Sequence, residues 1–241
     1  MFNINLVNSR RAFIVAALVI PPLVALCAPF AVAQEATKQA APVYVAMTTT
    51  KGTIYLELNA AKAPISVENF TAYAKEGYYN GTIFHRVIKS FMIQGGGFIA
   101  DLGQKTTKAG IKNEWTNGLS NGLGTISMAR QGGRADSATS QFFINTADNK
   151  MLDDPRDGAG YAVFGTVIKG MDVVEAIEAV PTGVNKGMLD VPKETIMIES
   201  VVIMKAPPAA DAPTLRAPPA AVTPAAPATP PAPPASGTTK P

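Results

Sequence analysis

The chain has 241 residues, of which 47% are hydrophobic and 16% charged, and its formal net charge is +3. Arg10 and Arg11 stand in the first 33 residues, which contain no acidic side chain, so the remainder carries 19 basic and 18 acidic residues. This balance argues against binding to nucleic acid or to an anionic membrane surface. One His and one Cys in the whole chain exclude a metal site built on several such ligands and a disulfide framework.

The first 33 residues have the pattern of a cleaved export signal. Arg10-Arg11 precede an apolar run that two prolines interrupt, and Ala31-Val32-Ala33 match a signal peptidase site. The run is shorter than the roughly 20 apolar residues that a membrane span needs, so no stable membrane insertion is expected. We predict cleavage after Ala33 and a periplasmic mature protein. The paired arginines leave open whether the Sec or the twin-arginine route exports it.

Composition divides the rest of the chain into three parts. Residues 34–41 form a short linker, and residues 42–205 have the ordinary composition of one folded domain. Residues 206–241 contain 12 Pro and 12 Ala among 36 residues and show no amphipathic period. Each Pro lacks a backbone donor, so we predict a disordered Pro/Ala-rich tail that acts as a spacer, with a docking segment as the alternative.

Within the domain the dominant hydrophobic period is two, which is typical of half-buried strands. Two segments instead have a helical period: residues 64–77, where Ser66 can cap the start and Gly77 the end, and residues 170–180. Many short strands with two helices favour a mainly β fold, a closed antiparallel barrel. The predicted strands, in chain order, are residues 43–47, 53–58, 82–88, 91–98, 124–129, 141–145, 161–167, 196–198 and 201–203.

Two common catalytic motifs are absent from the sequence: it has no P-loop and no G-x-G-x-x-G. His85 is the one histidine, and no nucleophile accompanies it, so we expect a packed, hydrogen-bonded residue and not a general base. Strand alternation predicts that Phe84, Arg86 and Ile88 share one face, which would place a guanidinium among apolar neighbours. The same alternation predicts that Gln141 and Phe143 share one face of their strand.

Several stretches together resemble the cyclophilin family of peptidyl-prolyl cis-trans isomerases, with bacterial periplasmic members the most similar. The resemblance runs from about Val43 to Met204. The family fold implied is a closed eight-stranded antiparallel barrel capped by two α-helices. The matching segments are Phe84-His85-Arg86, Phe91-Met92-Ile93-Gln94-Gly95-Gly96, Ser127-Met128-Ala129-Arg130, Ser140-Gln141-Phe142-Phe143 and Gly160-Tyr161-Ala162-Val163-Phe164-Gly165.

The resemblance implies rotation about Xaa-Pro bonds, with Arg86 as the catalytic residue and no cofactor or metal. The implied partners are proline-containing unfolded or extended polypeptides, bound by a monomer that assists the folding of exported proteins. A proline-peptide binding module or holdase that needs no turnover is the alternative. The implied substrate-binding residues are Phe91, Met92, Gln94, Ala129, Arg130, Gln141, Phe143, Met151, Leu152 and Tyr161.

Two of these positions depart from the pattern common in eukaryotic members. Met151 stands where those often carry Trp, and Tyr161 stands where they carry His. Both replacements keep an apolar wall, so isomerase activity is still expected. The Met151 thioether has no N–H to donate to the inhibitor cyclosporin, so weak cyclosporin binding is expected.

Overall fold

A computed structural model describes residues 40–155 and 157–214. The predicted signal, most of the linker and residues 215–241 of the predicted tail lie outside the described residues. The described helices are α1 (Pro64–Lys75), α2 (Met171–Glu178) and a short 3₁₀ turn, η1 (Lys150–Leu152). The strands are β1 (Val43–Thr49), β2 (Gly52–Leu58), β3 (Thr82–Ile88), β4 (Met92–Ile99), β5 (Thr125–Met128), β6 (Phe142–Asn145), β7 (Val163–Lys169), β8 (Thr182–Asn185), β9 (Met188–Pro192) and β10 (Ile198–Met204).

Eight strands form one antiparallel sheet in the order β10-β1-β2-β7-β5-β6-β4-β3. The mainly β architecture with two helices is therefore as predicted from the sequence. The hydrogen-bonded ladder ends at β3 and β10, and the flanking chain adds an isolated bridge between Ile83 and Met197. Phe84 N–H also donates to Ile196 O at 3.0 Å. Full closure of the barrel stays a prediction.

Both helices bury the apolar stripes that their sequences predict. In α1, Val67, Phe70, Tyr73 and Ala74 are buried, and the Phe70 ring lies 5.4 Å from that of Phe164 in β7. In α2 the buried residues are Val173, Val174 and Ile177. The stripes of both helices belong to the same hydrophobic core as the inward side chains of the sheet, so the helices and the sheet are fixed to each other by shared burial.

The start of α1 differs from the prediction. Ser66 lies inside the first turn, and the helix begins after Ala63 with Pro64 at its first position. The Glu114 carboxylate accepts the backbone N–H groups of Ile65 at 3.0 Å and Ser66 at 2.8 Å. A carboxylate at this end satisfies unpaired N–H groups and complements the helix dipole. The cap comes from a distant loop, so no local pattern indicates it.

The antiparallel hairpin of β8 and β9 forms a separate two-stranded sheet that the sequence analysis did not predict. Its turn contains Lys186 and Gly187 at positive φ. Val184 and Leu189 are both more than half exposed, so the apolar alternation that would mark a buried strand is missing. The hairpin matters for function because Asp190 of β9 lies beside Arg86 of β3.

Residues 206–214, the beginning of the predicted tail, lie on the domain surface. Thr53 N–H donates to Thr214 O at 2.7 Å, and the Thr214 hydroxyl donates to Asp172 at 2.7 Å. The Lys169 ammonium donates to the carbonyl oxygens of Ala209 at 3.2 Å and Ala210 at 2.6 Å. These nine residues are held through their backbone oxygens and one hydroxyl, which need no amphipathic period, so composition did not indicate the contact.

Candidate active site

A cleft of about 330 Å³ lies where β3, β4 and β6 meet the segments that follow β5 and precede β7. Nine of the eleven residues implied by the resemblance line it, from five separate parts of the chain. Their convergence is a consequence of the strand order, because β4 pairs with both β3 and β6. The lining residues are Arg86, Phe91, Met92, Gln94, Ala129, Arg130, Phe143, Leu152 and Tyr161.

A β-bulge directs Arg86 into this cleft. The register of β3 against β4 shifts between Phe84, opposite Gly95, and Arg86, opposite Gln94. The prediction that Phe84 shares a face with Arg86 and Ile88 is therefore wrong, since Phe84 is fully buried in the core while Arg86 lines the cleft. An extra residue at a bulge reverses the alternation and redirects the following side chain.

The Arg86 guanidinium is partly exposed and has donors available for a ligand. Its side chain is 42% accessible, and its Nε lies 3.6 Å from an Asp190 carboxylate oxygen. That separation makes an ion pair but exceeds a good hydrogen-bond distance. Within the part of the chain that the structure describes, no hydrogen bond to the guanidinium is found. A cation with free N–H groups is thus presented at the cleft.

Aromatic and aliphatic side chains form the walls around this cation. Phe143 is 4% exposed, and its ring lies 5.6 Å from that of Tyr161 in an edge-to-face arrangement of 78°. Met92 is 2% exposed. Phe91 and Leu152 complete the apolar lining. A small apolar ring can therefore be enclosed beside a guanidinium, in surroundings that exclude part of the water.

Gln94 and Gln141 form a polar boundary beside the apolar walls. The Gln94 side-chain amide donates to the Gln141 oxygen at 3.0 Å, and Gln141 lines an adjoining polar groove. Glycine permits this arrangement, because a Cβ at Gly97 would lie 2.5 Å from Cγ of Gln141. Gly96 has a φ of +82°, which a residue with a side chain rarely adopts. The glycines of β4 thus make room for a side chain of the site.

The backbone next to β5 offers a place for an extended chain. Ala129 N–H is already used, because it donates to Gln141 O at 3.0 Å. The Ala129 carbonyl and the Arg130 N–H have no hydrogen-bond partner among the described residues. One free acceptor and one free donor at adjacent positions match the pairing that a peptide strand makes.

A buried network of asparagines supports the cleft, and the sequence analysis did not identify it. The Asn121 side-chain oxygen accepts hydrogen bonds from the Ser127 hydroxyl at 2.7 Å and from Asn145 at 3.1 Å. Its amide donates to the Tyr161 carbonyl at 3.1 Å, and the Asn149 amide donates to the carbonyl of Phe91 at 2.6 Å. Two cleft residues are therefore held by their backbone oxygens. Asn145, within an otherwise apolar strand, was the one local signal.

His85 is 3% exposed, which confirms the expected packing but not the expected hydrogen bond. Its ring lies 4.5 Å from that of Phe98. Its Nδ1 is buried and has no hydrogen-bond partner among the described residues. Burial, together with the positive charge of Arg86, lowers the pKa of His85 to about 4. The imidazole is therefore neutral near pH 7.

Met151 stands apart from the other implied site residues. It lies in η1, one residue before Leu152, and is 44% exposed. It does not line the cleft, because the adjacent Leu152 occupies that wall. Its role in binding stays a prediction. Across the described ranges, no group of three or more His, Cys, Asp or Glu side chains is placed to hold a metal ion.

Comparison with known proteins identifies the family. The family model of cyclophilin type peptidyl-prolyl cis-trans isomerases matches residues 44–203. The chain belongs to this family. It is 57% identical over 159 residues to a peptidyl-prolyl cis-trans isomerase of Acinetobacter baylyi, covering 66% of this chain and 84% of that protein. It is 51% identical over 158 residues to peptidyl-prolyl cis-trans isomerase B of Escherichia coli, covering 64% and 96%.

A solved structure agrees with this assignment. A cyclophilin type isomerase of Cryptosporidium parvum, crystallised in the presence of the dipeptide Ala-Pro, has a TM-score of 0.59 and 29% identity. The comparison covers 68% of this chain and 99% of that one. The protein is thus a cyclophilin-type peptidyl-prolyl cis-trans isomerase with a cyclophilin-like fold. No helix in residues 40–155 or 157–214 is long and apolar enough to cross a membrane.

Proposed function

We propose that Arg86 is the catalytic residue and that the cleft beside it binds the proline of an Xaa-Pro bond. Rotation about this amide has a barrier of about 18–20 kcal/mol because the nitrogen lone pair is conjugated with the carbonyl. The twisted state has a pyramidal nitrogen with a localised lone pair. A donor aimed at that nitrogen stabilises the twisted state more than either planar state, which is the condition for catalysis.

The single observation that carries this proposal is a guanidinium with free donors among apolar walls. Arginine stays charged at all relevant pH values, and its planar fork can also engage the proline carbonyl. Water exclusion by Phe143, Met92 and Leu152 strengthens such a hydrogen bond. Rotation breaks no covalent bond, so the reaction needs neither a nucleophile nor a cofactor.

The substrates we propose are extended or unfolded polypeptides that contain proline. The free backbone groups of Ala129 and Arg130 would pair with the chain, and Gln94 and Gln141 would contact polar groups beside the proline. The crystallisation of a family member with Ala-Pro supports this class of ligand. Weak cyclosporin binding is proposed because the Met151 side chain has no N–H donor.

We further propose that the protein acts as a monomer in the periplasm and assists the folding of exported proteins. This rests on the signal pattern of residues 1–33. Intact-mass analysis of the exported protein tests it, and the expected mature chain begins at Gln34. An exported protein whose mass still includes residues 1–33 would contradict the proposal.

The experiment that tests the catalytic proposal compares wild type with Arg86→Ala and Arg86→Lys on an Xaa-Pro peptide in a protease-coupled assay. Arg86→Ala should lower kcat/KM by about 10²–10³, the effect of losing one transition-state donor. Arg86→Lys should restore little, because a point charge lacks the planar fork. Near-normal turnover by a folded Arg86→Ala variant would remove Arg86 from the mechanism. Peptide binding without turnover by wild type would favour the binding-module alternative.

A further inference from the structure

The Arg130 side chain at the edge of the cleft is 2% exposed and fully engaged. Its Nε donates to Gly160 O at 3.1 Å, and Nη1 donates to Gln131 O at 3.2 Å and to Asp157 Oδ2 at 3.0 Å. Nη2 donates to Asp157 Oδ1 at 2.5 Å and to the Ala159 carbonyl. A guanidinium has five N–H donors, and five hydrogen bonds use them. No donor of this side chain remains for a substrate.

The same guanidinium supports an aromatic wall of the cleft. Its central carbon lies 4.5 Å from the centre of the Tyr161 ring. That ring in turn lies edge-to-face against Phe143 at 5.6 Å. Tyr161 and Phe143 both line the cleft. The position of this wall therefore depends on a cation whose N–H donors are all used within the protein.

Asp157, which precedes β7, also binds the loop that follows β5. Its Oδ2 accepts the Gly133 backbone N–H at 2.7 Å in addition to its bonds with Arg130. A further contact holds the segment carrying Tyr161, because the Asn113 amide also donates to Gly160 O at 3.0 Å. The Arg130–Asp157 pair thus fastens the chain after β5 to the chain before β7, across the cleft's edge.

We propose that Arg130 is a positioning residue: paired with Asp157, it fixes Tyr161 against the cleft and so sets how tightly the cleft holds the substrate's proline ring. The inference rests on the proposed use of the cleft as the proline site. A buried ion pair contributes little net stability, since a protein with apolar residues in place of the pair is often as stable. Its bidentate geometry instead defines one orientation for the loops it joins.

The kinetic consequence distinguishes this role from catalysis. A wall that touches the proline ring equally in the planar and twisted states contributes uniform binding, whose loss raises KM and leaves kcat unchanged. Arg130→Met removes the charge and the five hydrogen bonds but keeps an unbranched chain of similar reach. We expect its KM to rise about threefold to tenfold, the range of one lost aromatic contact, with kcat within about twofold of wild type.

Two further variants should raise KM by smaller amounts than Arg130→Met does. Arg130→Lys keeps a charge without the fork and should rescue KM only in part. Asp157→Asn keeps the shape but weakens the pair, and should raise KM less than Arg130→Met does. Hydrogen bonding from Arg130 holds the pKa of the Asp157 carboxyl well below its usual range. The pair therefore stays charged down to mildly acidic pH, and the KM differences should be the same at pH 6 and pH 8.

Lys108→Met is the matched control. Lys108 Nζ forms an ion pair with Glu76 at 2.5 Å and lies 5.2 Å from the centre of the Tyr73 ring. It reproduces the cation, carboxylate and aromatic ring of the Arg130 site but does not line the cleft. The KM of the Lys108→Met variant should equal that of wild type.

Trp115, the only tryptophan, supplies a readout besides turnover. A Cβ at Gly160 would come within 2.9 Å of the Trp115 ring, so the indole lies directly against the Tyr161 segment. Its emission should shift in Arg130→Met and stay unchanged in Lys108→Met.

The outcomes separate this inference from the proposed function. Absence of turnover by wild type would contradict the isomerase proposal itself. Turnover by wild type, with an Arg130→Met KM equal to that of the control, would overturn only the positioning role. A fall in kcat at constant KM would also overturn it, because that result indicates the loss of an interaction made only in the transition state. If Arg130→Met does not fold, the KM of Asp157→Asn decides in the same way.

Discussion

Replacing His85 by Phe should change the pH dependence of stability, because the histidine is buried in its neutral form. Desolvation, with a further contribution from the charge of Arg86, lowers the pKa of His85 from 6.5 to about 4. The unfolded chain keeps the ordinary pKa near 6.5. Between these two values the unfolded state binds more protons than the folded state, so stability falls as the pH decreases.

The size of the effect follows from the two pKa values. Above pH 6.5 the imidazole is neutral in both the folded and the unfolded protein, so His85 causes no loss of unfolding free energy there. Between pH 7 and pH 5 the wild type should lose about 2 kcal/mol of unfolding free energy through this group. His85→Phe keeps a ring against Phe98 and has nothing to protonate, so this loss should disappear. Any packing cost of the larger ring is independent of pH.

Urea unfolding of both proteins at pH 7, 6 and 5 provides the measurement. Carboxyl groups titrate equally in the two proteins, so the difference between their unfolding free energies isolates residue 85. That difference should shift by about 2 kcal/mol in favour of the variant as the pH falls from 7 to 5. A difference constant within experimental error would refute the buried neutral histidine.

Three other predictions concern the supports of the site and the chain end. Asn121→Ala should lower the free energy of unfolding by about 2–4 kcal/mol in denaturant titration, because the Ser127 hydroxyl and a second buried donor lose their acceptor. Ending the chain after Lys205 should lower Tm by a few degrees, because the lost hydrogen bonds contribute about 1 kcal/mol. Ending the chain after Thr214 should leave Tm unchanged. Equal melting curves for the two truncated proteins would contradict the contact between residues 206–214 and the domain surface. Met151→Trp should strengthen cyclosporin inhibition by about fivefold or more while changing peptide turnover only modestly, and equal inhibition constants would exclude Met151 as the discriminating residue.

Sequence reasoning predicted most of the fold because hydrophobic periodicity reports burial directly. Most strands of the main sheet and both helices appear where periods of two and 3.6 residues predicted them, but the two runs predicted at residues 196–198 and 201–203 form the single strand β10. The β-bulge before Arg86 was missed, since Phe84 and Arg86 alternate in the sequence as if the strand were regular. The hairpin of β8 and β9 was missed because its side chains are largely exposed and have no apolar alternation.

The site was predicted through the family resemblance and not through local pattern. Motif matching named the residues that line the cleft, including Arg86 and Phe143. It did not show how they are held in place. Arg130 and Asp157 are separated by 27 residues in sequence, and Glu114 caps a helix 48 residues away from it. Such contacts depend on the completed fold, so a single sequence carries no signal for them.

Nuclear magnetic resonance exchange spectroscopy of an Ala-Pro peptide tests the central claim most directly, because one experiment reports both binding and cis-trans interconversion. The wild-type protein should bind the peptide and produce exchange between the cis and trans signals. Arg86→Ala should bind with similar affinity, since the apolar walls remain, but its exchange rate should fall by about 10²–10³. Loss of binding and exchange together would contradict the account, as would unchanged exchange in a folded Arg86→Ala protein.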